Sequence, residues 1–274
     1  VNINPEGVIV MEEEYLKSVK ELLYQVQHAP ELKSRMQAIT SLGENEGKEV
    51  LLAALRDPYF KVRNMALERL SDFSLNKKEL AQVEKIATSD PSNIVKSAAI
   101  WVLSSSKENK RYTALYEKAL TTPSGAVKNA ALNAIAHTNP KRAKDFLEKA
   151  DPKELEIDQL AGLTGVIADN KMTQYLPTLM PYLVNYPFLE EDNPEIAADF
   201  KKAYLWAMSL DNKNLVEQMQ KAYKDFTQEE NGDKAKQALW KVIDEGIAQK
   251  KKLPDTAAIK EQIKMLEELK SKIR

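Results

Sequence analysis

The sequence predicts an all-α protein, an α-α superhelix of about seven helix pairs with a short β-hairpin at its N-terminus. Three observations favour this fold class. Amphipathic segments with helical period follow one another along almost the whole chain. Prolines fall where these segments stop or start. One short pattern also recurs at intervals of 32 to 33 residues, as expected of stacked repeats.

The first ten residues, VNINPEGVIV, differ from the helical remainder. β-branched residues flank the turn residues Asn-Pro-Glu-Gly at 4–7, an order typical of a small hairpin. The sequence therefore predicts a hairpin over residues 1–11 and a HEAT- or armadillo-like superhelix over residues 12–274. A lone two-stranded hairpin is only marginally stable in water. The run Glu12-Glu13-Glu14 would add negative charge to the start of the first helix.

Three stretches carry the repeat, and they begin at Asp57-Pro58, Asp90-Pro91 and Thr122-Pro123. Counted from each proline, position +4 is Val, +5 is basic, +8 is Ala and +12 is Leu or Ile. The apolar positions share one helical stripe, so burial is predicted for them. The residue before each proline is predicted to cap the helix, with proline in its first turn. The aligned residues are Val62, Val95 and Val127; Arg63, Lys96 and Lys128; Ala66, Ala99 and Ala131; and Leu70, Leu103 and Ile135.

A second amphipathic helix is predicted after each repeat helix, and stacked pairs can bury the faces that one pair leaves open. The pattern is regular over residues 31–150 and degenerate, though still helical, over residues 151–274. In the degenerate part, a helix is expected to start at Pro177 or to bend at Pro181. The last helix is expected to be capped by Asp255 or Thr256.

The repeat resembles HEAT-type repeats, whose first line is often D-P-x-x-x-V-R-x-x-A-x-x-x-L. Residues 57–70 match that line in full. The second copy has Lys96 in place of Arg, and the third has Thr122 in place of Asp. The resemblance implies the fold and leaves the function open, because one fold carries many functions.

Composition narrows the classes of partner. Lys and Arg number 40 against 41 Asp and Glu, so a charge of −1 offers no general attraction for nucleic acid or an anionic membrane surface. No apolar run reaches the length of about 18 residues that a membrane span needs. We therefore predict a soluble chain without nucleic-acid or membrane partners. The chain has no cysteine, which excludes disulfides and thiolate chemistry.

Catalytic motifs are missing. His28 and His137 are the two histidines, and neither belongs to an H-E-x-x-H helix. Both are predicted to lie at helix C-termini, where an imidazolium favours the helix dipole. Gly162 and Gly165 are predicted to mark a close helix crossing rather than a phosphate site. No catalytic, cofactor-binding or metal-ligating residue is predicted, and this chain is not expected to be an enzyme.

The charged clusters are predicted to be solvated, and the aromatic clusters are predicted to pack within the protein. The acidic run 190–192 is predicted to be a solvated loop rather than a calcium site, since it lacks the spacing of calcium loops. The basic runs 141–144 and 250–252 are predicted to be solvated faces, with a DNA-binding stripe as the alternative. Core positions are predicted for Trp101, Trp206 and Trp240, and loop packing is preferred to a groove for Tyr182, Tyr186 and Phe188.

The N-terminal part resembles the domain seam of the aminopeptidase N family of zinc metallopeptidases, in its bacterial branch. There a β-sandwich follows the catalytic domain, and a HEAT-like helical domain follows the sandwich. The resemblance is carried by hairpin residues Val1, Asn2, Gly7 and Val10 and by seam residues Tyr24, His28, Ala29, Pro30, Arg35 and Ala38.

This resemblance implies that residues 1–11 are the remnant of an upstream β-sandwich domain. It also implies a non-catalytic helical domain that encloses the active-site chamber of a parent enzyme and gates peptide access. Zinc would belong to the parent catalytic domain, and this chain would hold no cofactor. Its partners would be the catalytic and β-sandwich domains, with peptide substrate at the concave face. The parent would be a periplasmic or cytoplasmic bacterial enzyme. The alternatives are a free-standing HEAT scaffold that binds a protein partner on its concave face, and a HEAT-like nucleic-acid-binding protein.

Overall fold

A computed structural model describes residues 17–224 and 232–273 of the chain. All regular secondary structure in these two ranges is helical, which agrees with the predicted all-α class. The hairpin predicted over residues 1–11 and the acidic run 12–14 lie outside the described residues. The chain divides into two compact units, Val1–Thr138 and Asn139–Arg274.

The described part of the first unit, residues 17–138, contains four consecutive helix pairs. In each pair the two helices contact one another, and the second helices also contact each other in sequence along the unit. These second helices, α2, α4, α6 and α8, form one layer. The bounds are α1 Val19–His28, α2 Leu32–Thr40, α3 Lys48–Ala54, α4 Phe60–Leu70, α5 Lys77–Ser89, α6 Asn93–Ser105, α7 Thr113–Ala119 and α8 Gly125–Thr138, with a 3-10 helix over Asn109–Tyr112 before α7.

The repeat positions form the core of this unit, as their spacing predicts. The apolar side chains at +4, +8 and +12 are all buried. Alanine at +8 allows neighbouring helices to approach closely, and the larger residues fill the space around it. Their aligned sets are Val62, Val95 and Val127; Ala66, Ala99 and Ala131; and Leu70, Leu103 and Ile135.

The turns that precede the repeat helices correct one prediction. Pro58 and Pro91 lie two residues before α4 and α6, so Asp57 and Asp90 do not cap those helices. Each carboxylate instead accepts the backbone N–H two residues further on, at 2.8 Å. Aspartate favours this local hydrogen bond because its side chain is short enough to reach its own backbone. Each aspartate therefore shapes a turn that precedes the first residue of the repeat helix.

Ion pairs connect successive repeats through the same aspartates. Arg35 Nε donates to Asp57 Oδ2 at 2.6 Å. Arg63 donates to both carboxylate oxygens of Asp90 at 2.8 Å, and both of these side chains are buried. Each arginine also binds backbone carbonyls of the turn that precedes its own helix. We call each pair a rung; two rungs link the first three repeats.

One arginine caps the C-terminal end of a neighbouring helix. The Arg69 guanidinium, on α4, donates to the carbonyl oxygens of Ile39, Leu42 and Gly43 at 2.8–3.1 Å. Ile39 lies in the last turn of α2, and Leu42 and Gly43 follow the end of the helix, a place where carbonyl groups lack helical partners. A side chain from the second repeat therefore completes a helix of the first.

The second unit is less regular, as the degenerate repeat predicts. Helix α13 is its centre, with contacts to five other helices, among them α10 and α15. The bounds are α9 Pro140–Leu147, α10 Ile157–Asp169, α11 Leu176–Leu183, α12 Tyr186–Leu189, α13 Pro194–Met208, α14 Lys213–Ala222, α15 Asp233–Lys250 and α16 Ala257–Lys272, with a 3-10 helix over Thr173–Tyr175.

Several local predictions are confirmed in this unit. Pro177 lies in the first turn of α11, and Pro181 lies inside the helix. The Thr256 side chain caps α16 by accepting the Ile259 N–H at 3.2 Å. A side chain at Gly165 would collide with the Asp199 carboxylate, so α10 and α13 approach closely at this glycine.

Candidate functional site

Helix α6 presents apolar side chains to solvent. Ile94 is 54% exposed and Trp101 is 44% exposed. These residues are seven positions apart, so they lie on one stripe of the helix with Ala98 between them. A tryptophan in such a position is typical of a protein-binding surface, because its large ring gains much from burial by a partner.

The exposure of Trp101 corrects the prediction that it belongs to the core. Trp101 stands at position +10 of its repeat, where the other copies carry Glu68 and Asn133. Glu68 is exposed and was the available signal for an outward position, whereas Asn133 at the same position of the next copy is buried. Trp206, by contrast, is buried as predicted, and Trp240 is half-buried.

The neighbouring helix α8 continues this surface. Ser97 Oγ donates to the Ala126 carbonyl at 3.1 Å, which joins α6 to the first turn of α8. Asn129, aligned with Ser97, has a buried amide oxygen with no hydrogen-bond partner. We define the α6–α8 surface by Ile94, Ser97, Ala98, Trp101 and Asn129. None of these residues is charged, so the surface suits an apolar or neutral protein segment better than a polyanion.

Two open pockets also occur among the described residues. The first, of about 380 Å³, lies beside the Arg35–Asp57 rung, where the arginine is already occupied by its carboxylate. The second, of about 430 Å³, lies between α15 and α16 and has a mixture of positive and negative side chains. The linings are Val26, Gln27, His28, Ala29, Arg35, Ala53, Arg56, Asp57 and Pro58; and Trp240, Asp244, Ile247, Lys251, Glu267, Lys270 and Ser271.

Lys250 contradicts the predicted solvated face at 250–252. Its side chain is fully buried, while Lys251 and Lys252 are exposed. Lys250 Nζ donates to the Leu210 carbonyl at 2.5 Å and to Gln262 Oε1 at 2.6 Å. Burial lowers the pKa of Lys250 to about 8, and the nearby Asp211 carboxylate opposes that shift.

The aromatic cluster of the second unit lies on helices rather than in a loop. Tyr186 is buried, and its hydroxyl donates to Glu245 at 2.7 Å. Burial, reinforced by this hydrogen bond, raises the pKa of Tyr186 above its usual value. Tyr182 and Phe188 are 43% and 41% exposed, so the predicted packing holds for one of the three residues.

The histidines and acidic residues lie where the sequence places them. His28 ends α1, and its ring contacts the Tyr24 ring in a tilted arrangement with 4.5 Å between centroids. His137 is in the last turn of α8. Glu190 and Glu191 are exposed and each pairs with a lysine. Among residues 17–224 and 232–273, no group of three or more His, Cys, Asp or Glu side chains is placed to hold a metal ion.

The remaining predictions concern basic residues and membranes. Lys141 and Arg142 are exposed, while Lys144 pairs with Glu148 at 3.5 Å, as a solvated face predicts. No helix in the described part of the chain combines the length and apolar character of a transmembrane span.

One comparison with known proteins agrees with the repeat pattern of the first unit. A family model described as HEAT repeats matches residues 19–104. No curated protein matches the chain. An X-ray structure of YibA from Escherichia coli is 15% identical, with a TM-score of 0.46, over 92% of this chain and 93% of YibA.

A designed armadillo repeat protein, solved with the peptide (KR)4, is 14% identical, with a TM-score of 0.30, over 93% of this chain and 100% of the designed protein. At these TM-scores neither likeness supports a functional assignment. None of the comparisons points to an aminopeptidase. The family match agrees with the buried repeat positions and the rungs, so residues 19–104 are similar to HEAT repeats, and the regular secondary structure of the described residues is helical.

Proposed function

We propose that this chain is a HEAT-repeat scaffold that binds a protein partner through the α6–α8 surface. The observation that carries the proposal is the exposure of Trp101 and Ile94 on one stripe of α6. Exposed tryptophan is costly to leave in water, and it contributes strongly to affinity when a partner covers it.

The surrounding residues support the same proposal. Ser97 and Asn129 are uncharged polar residues of the α6–α8 surface, and none of the residues that define this surface carries a charge that a protein segment would have to neutralise. Helix α6 is held by contacts to α4, α5 and α8, so the tryptophan stands on a firmly packed element. Binding residues on such elements need little reorganisation when the partner arrives.

A photo-crosslinking experiment tests the proposal. A benzophenone amino acid replaces Trp101 in the full chain, and a second variant carries it at Tyr182, an exposed aromatic residue of the other unit. We expect irradiation in cells to join a discrete protein to position 101 but not to position 182. Absence of a specific product at position 101 would contradict the proposal.

The affinity of the purified partner then gives a quantitative test. Trp101→Ala is expected to weaken binding by about tenfold or more, since central tryptophans dominate interface energies. The variant should remain folded in urea unfolding, with a modest loss of stability, because Trp101 is 44% exposed and the rest of its surface packs against the protein. Tyr182→Ala is the matched control and should bind normally.

The helical domain of a zinc aminopeptidase is a narrower form of this proposal, in which the partner is the enzyme's own catalytic domain. Its support is the sequence resemblance at the seam. The repeat itself accounts for two of the seam residues, because Arg35 forms a rung and Ala38 is buried in the core. Tyr24, which is 67% exposed on α1, has no such explanation and suits a contact with another domain.

Genomic sequence upstream of the codon for Val1 tests this narrower form. A continuous reading frame that encodes an H-E-x-x-H helix would support it. A frame without that motif would contradict it and leave the broader proposal intact.

A further inference from the structure

The pocket beside the Arg35–Asp57 rung is lined by charged groups, unlike the α6–α8 surface. Its lining comes from the end of α1, the end of α3 and the turn before α4, and its volume is about 380 Å³. A pocket of this size accepts a small ligand or a few side chains of a partner. We call it the α1–α3 pocket.

The acceptors of the α1–α3 pocket already have partners. Both carboxylate oxygens of Asp57 accept hydrogen bonds from Arg35. The Ala29 carbonyl accepts Arg35 Nη1 at 3.1 Å. The carbonyls of Asp57 and Pro58 accept Arg63 Nη1 at 2.8 Å and 3.0 Å. These acceptors are therefore not available to a cation or a donor that enters the pocket.

Two donors of the same pocket are still available. Arg56, which follows α3, is exposed, and its guanidinium makes no ion pair or hydrogen bond with the described part of the chain. His28 lines the pocket from the last position of α1, and its ring lies against the Tyr24 ring, with 4.5 Å between centroids. A guanidinium carries five N–H donors and a neutral imidazole carries one. The pocket therefore has donors in excess, and it suits an anion.

The charge of the lining selects the kind of anion. Arg35 and Asp57 neutralise one another, so Arg56 leaves one net positive charge when His28 is counted as neutral. A carboxylate matches that charge, and a planar guanidinium can bind both of its oxygens. A phosphate monoester carries about −1.5 to −2 and would be only partly balanced. The pocket between α15 and α16 has two lysines and two acidic residues, so it has no such excess.

We propose that the α1–α3 pocket binds the carboxylate of an aspartate or glutamate side chain in a protein partner, with Arg56 as its counter-ion and His28 as a second donor. The inference rests on the proposed function for the source of the carboxylate. It adds to that function an acidic residue in the partner, at a place separate from Trp101.

The test uses nuclear magnetic resonance on the full 274-residue chain, labelled with ¹⁵N. The probes are three blocked tripeptides, acetyl-Ala-X-Ala-amide, in which X is glutamate, glutamine or phosphoserine. We expect the glutamate peptide to shift the Arg56 Nε–H signal and the His28 imidazole signals in a saturable manner. The glutamine peptide should leave both in place, and the phosphoserine peptide should bind no more tightly than the glutamate peptide.

Two variants make the test specific to this pocket. Arg56→Gln, followed at the His28 imidazole, should bind the glutamate peptide about threefold more weakly or worse. His28→Phe keeps an aromatic ring beside Tyr24 but removes the donor, and followed at the Arg56 Nε–H it should weaken binding about twofold or more.

The matched control is Arg142→Gln. Arg142 is also exposed, its side chain has no ion pair or hydrogen bond with the described residues, and it does not line the α1–α3 pocket. This variant should bind the glutamate peptide like the wild type. Thermal unfolding checks that all three variants are folded.

Five results would overturn the inference. They are the absence of a saturable shift with the glutamate peptide, an equal shift with the glutamine peptide, tighter binding of the phosphoserine peptide, equal affinities of Arg56→Gln and Arg142→Gln, and an unchanged affinity in His28→Phe. None of these measurements involves Trp101 or a purified partner. Failure of the α1–α3 pocket is therefore distinguishable from failure of the proposed scaffold function.

Discussion

At the residue scale, Asp57 and Asp90 each perform two tasks that the repeat requires. The carboxylate shapes the turn by accepting a backbone N–H, and it also anchors the arginine of the preceding repeat. In the Arg63–Asp90 rung both partners are buried, so neither charge can return to water when the other is removed. Such a pair is costly to break even where its net contribution is small.

Asp90→Ala is accordingly expected to lower the free energy of unfolding by about 3–5 kcal/mol, because it leaves the Arg63 guanidinium buried without a counter-ion. Urea unfolding followed by circular dichroism measures the change. The control is Glu108→Ala, which removes an ion pair with Arg111 that is largely exposed. The control should change stability by about 0.5 kcal/mol at most, and equal effects of the two substitutions would contradict the prediction.

Lys250 leads to a prediction about pH. Its pKa is lowered to about 8 in the folded chain, below its ordinary value of 10.5. Between those two values the unfolded chain holds more protons, so stability contributed by this group rises with pH and is constant below pH 8. Relative to Lys250→Met, the wild type should therefore gain about 1–2 kcal/mol between pH 8 and pH 10.

Urea unfolding at several pH values tests this difference. Comparison with Lys250→Met removes the opposing effect of buried tyrosines such as Tyr204, whose raised pKa reduces stability at still higher pH. Lys252→Met, at an exposed lysine, should follow the wild-type profile. A pH-independent difference between the wild type and Lys250→Met would show that Lys250 titrates normally.

At the element scale, helix crossings depend on where glycine occurs. A side chain at Gly246 on α15 would collide with the Tyr204 hydroxyl of α13, which donates to the Val242 carbonyl at 2.7 Å. At Gly125, the first residue of α8, a side chain would meet nothing within 4 Å. Packing therefore requires glycine at position 246 but not at position 125, although both residues belong to helices.

Gly246→Ala should lower the free energy of unfolding by about 1–3 kcal/mol through overpacking, despite the better helix propensity of alanine. Gly125→Ala should be neutral or mildly stabilising. Thermal unfolding of the two variants provides the comparison. A stabilising effect at Gly246 would mean that α13 and α15 separate without cost.

The elements themselves were largely predictable, for a physical reason. The stripe of Val62, Ala66 and Leu70 recurs in later repeats, and a recurring stripe needs the same neighbour each time. The burial of Lys250 could not be predicted from a recurring pattern. Its burial depends on acceptors at Leu210 and Gln262, which are distant in sequence and meet it only in the folded chain. The exposure of Trp101 was partly predictable, because the aligned residue of the preceding repeat, Glu68, is charged.

At the scale of the whole molecule, the α6–α8 surface is the part of the described chain that we propose binds a protein. No group of metal-ligating side chains comes together among residues 17–224 and 232–273. We expect EDTA to leave the midpoint of thermal unfolding unchanged within about 1 °C, because a bound metal would otherwise add its binding energy to stability. A drop of several degrees, reversed by added zinc, would contradict this expectation.

The position of Arg69 has a consequence for synthesis on the ribosome. The C-terminal carbonyls of α2 are satisfied by a side chain that is translated about thirty residues after the helix itself. Until Arg69 emerges, those carbonyls must be solvated, and the end of the helix frays. The second repeat thus completes the end of the first, and this part of the nascent chain gains order only after the second repeat has been translated.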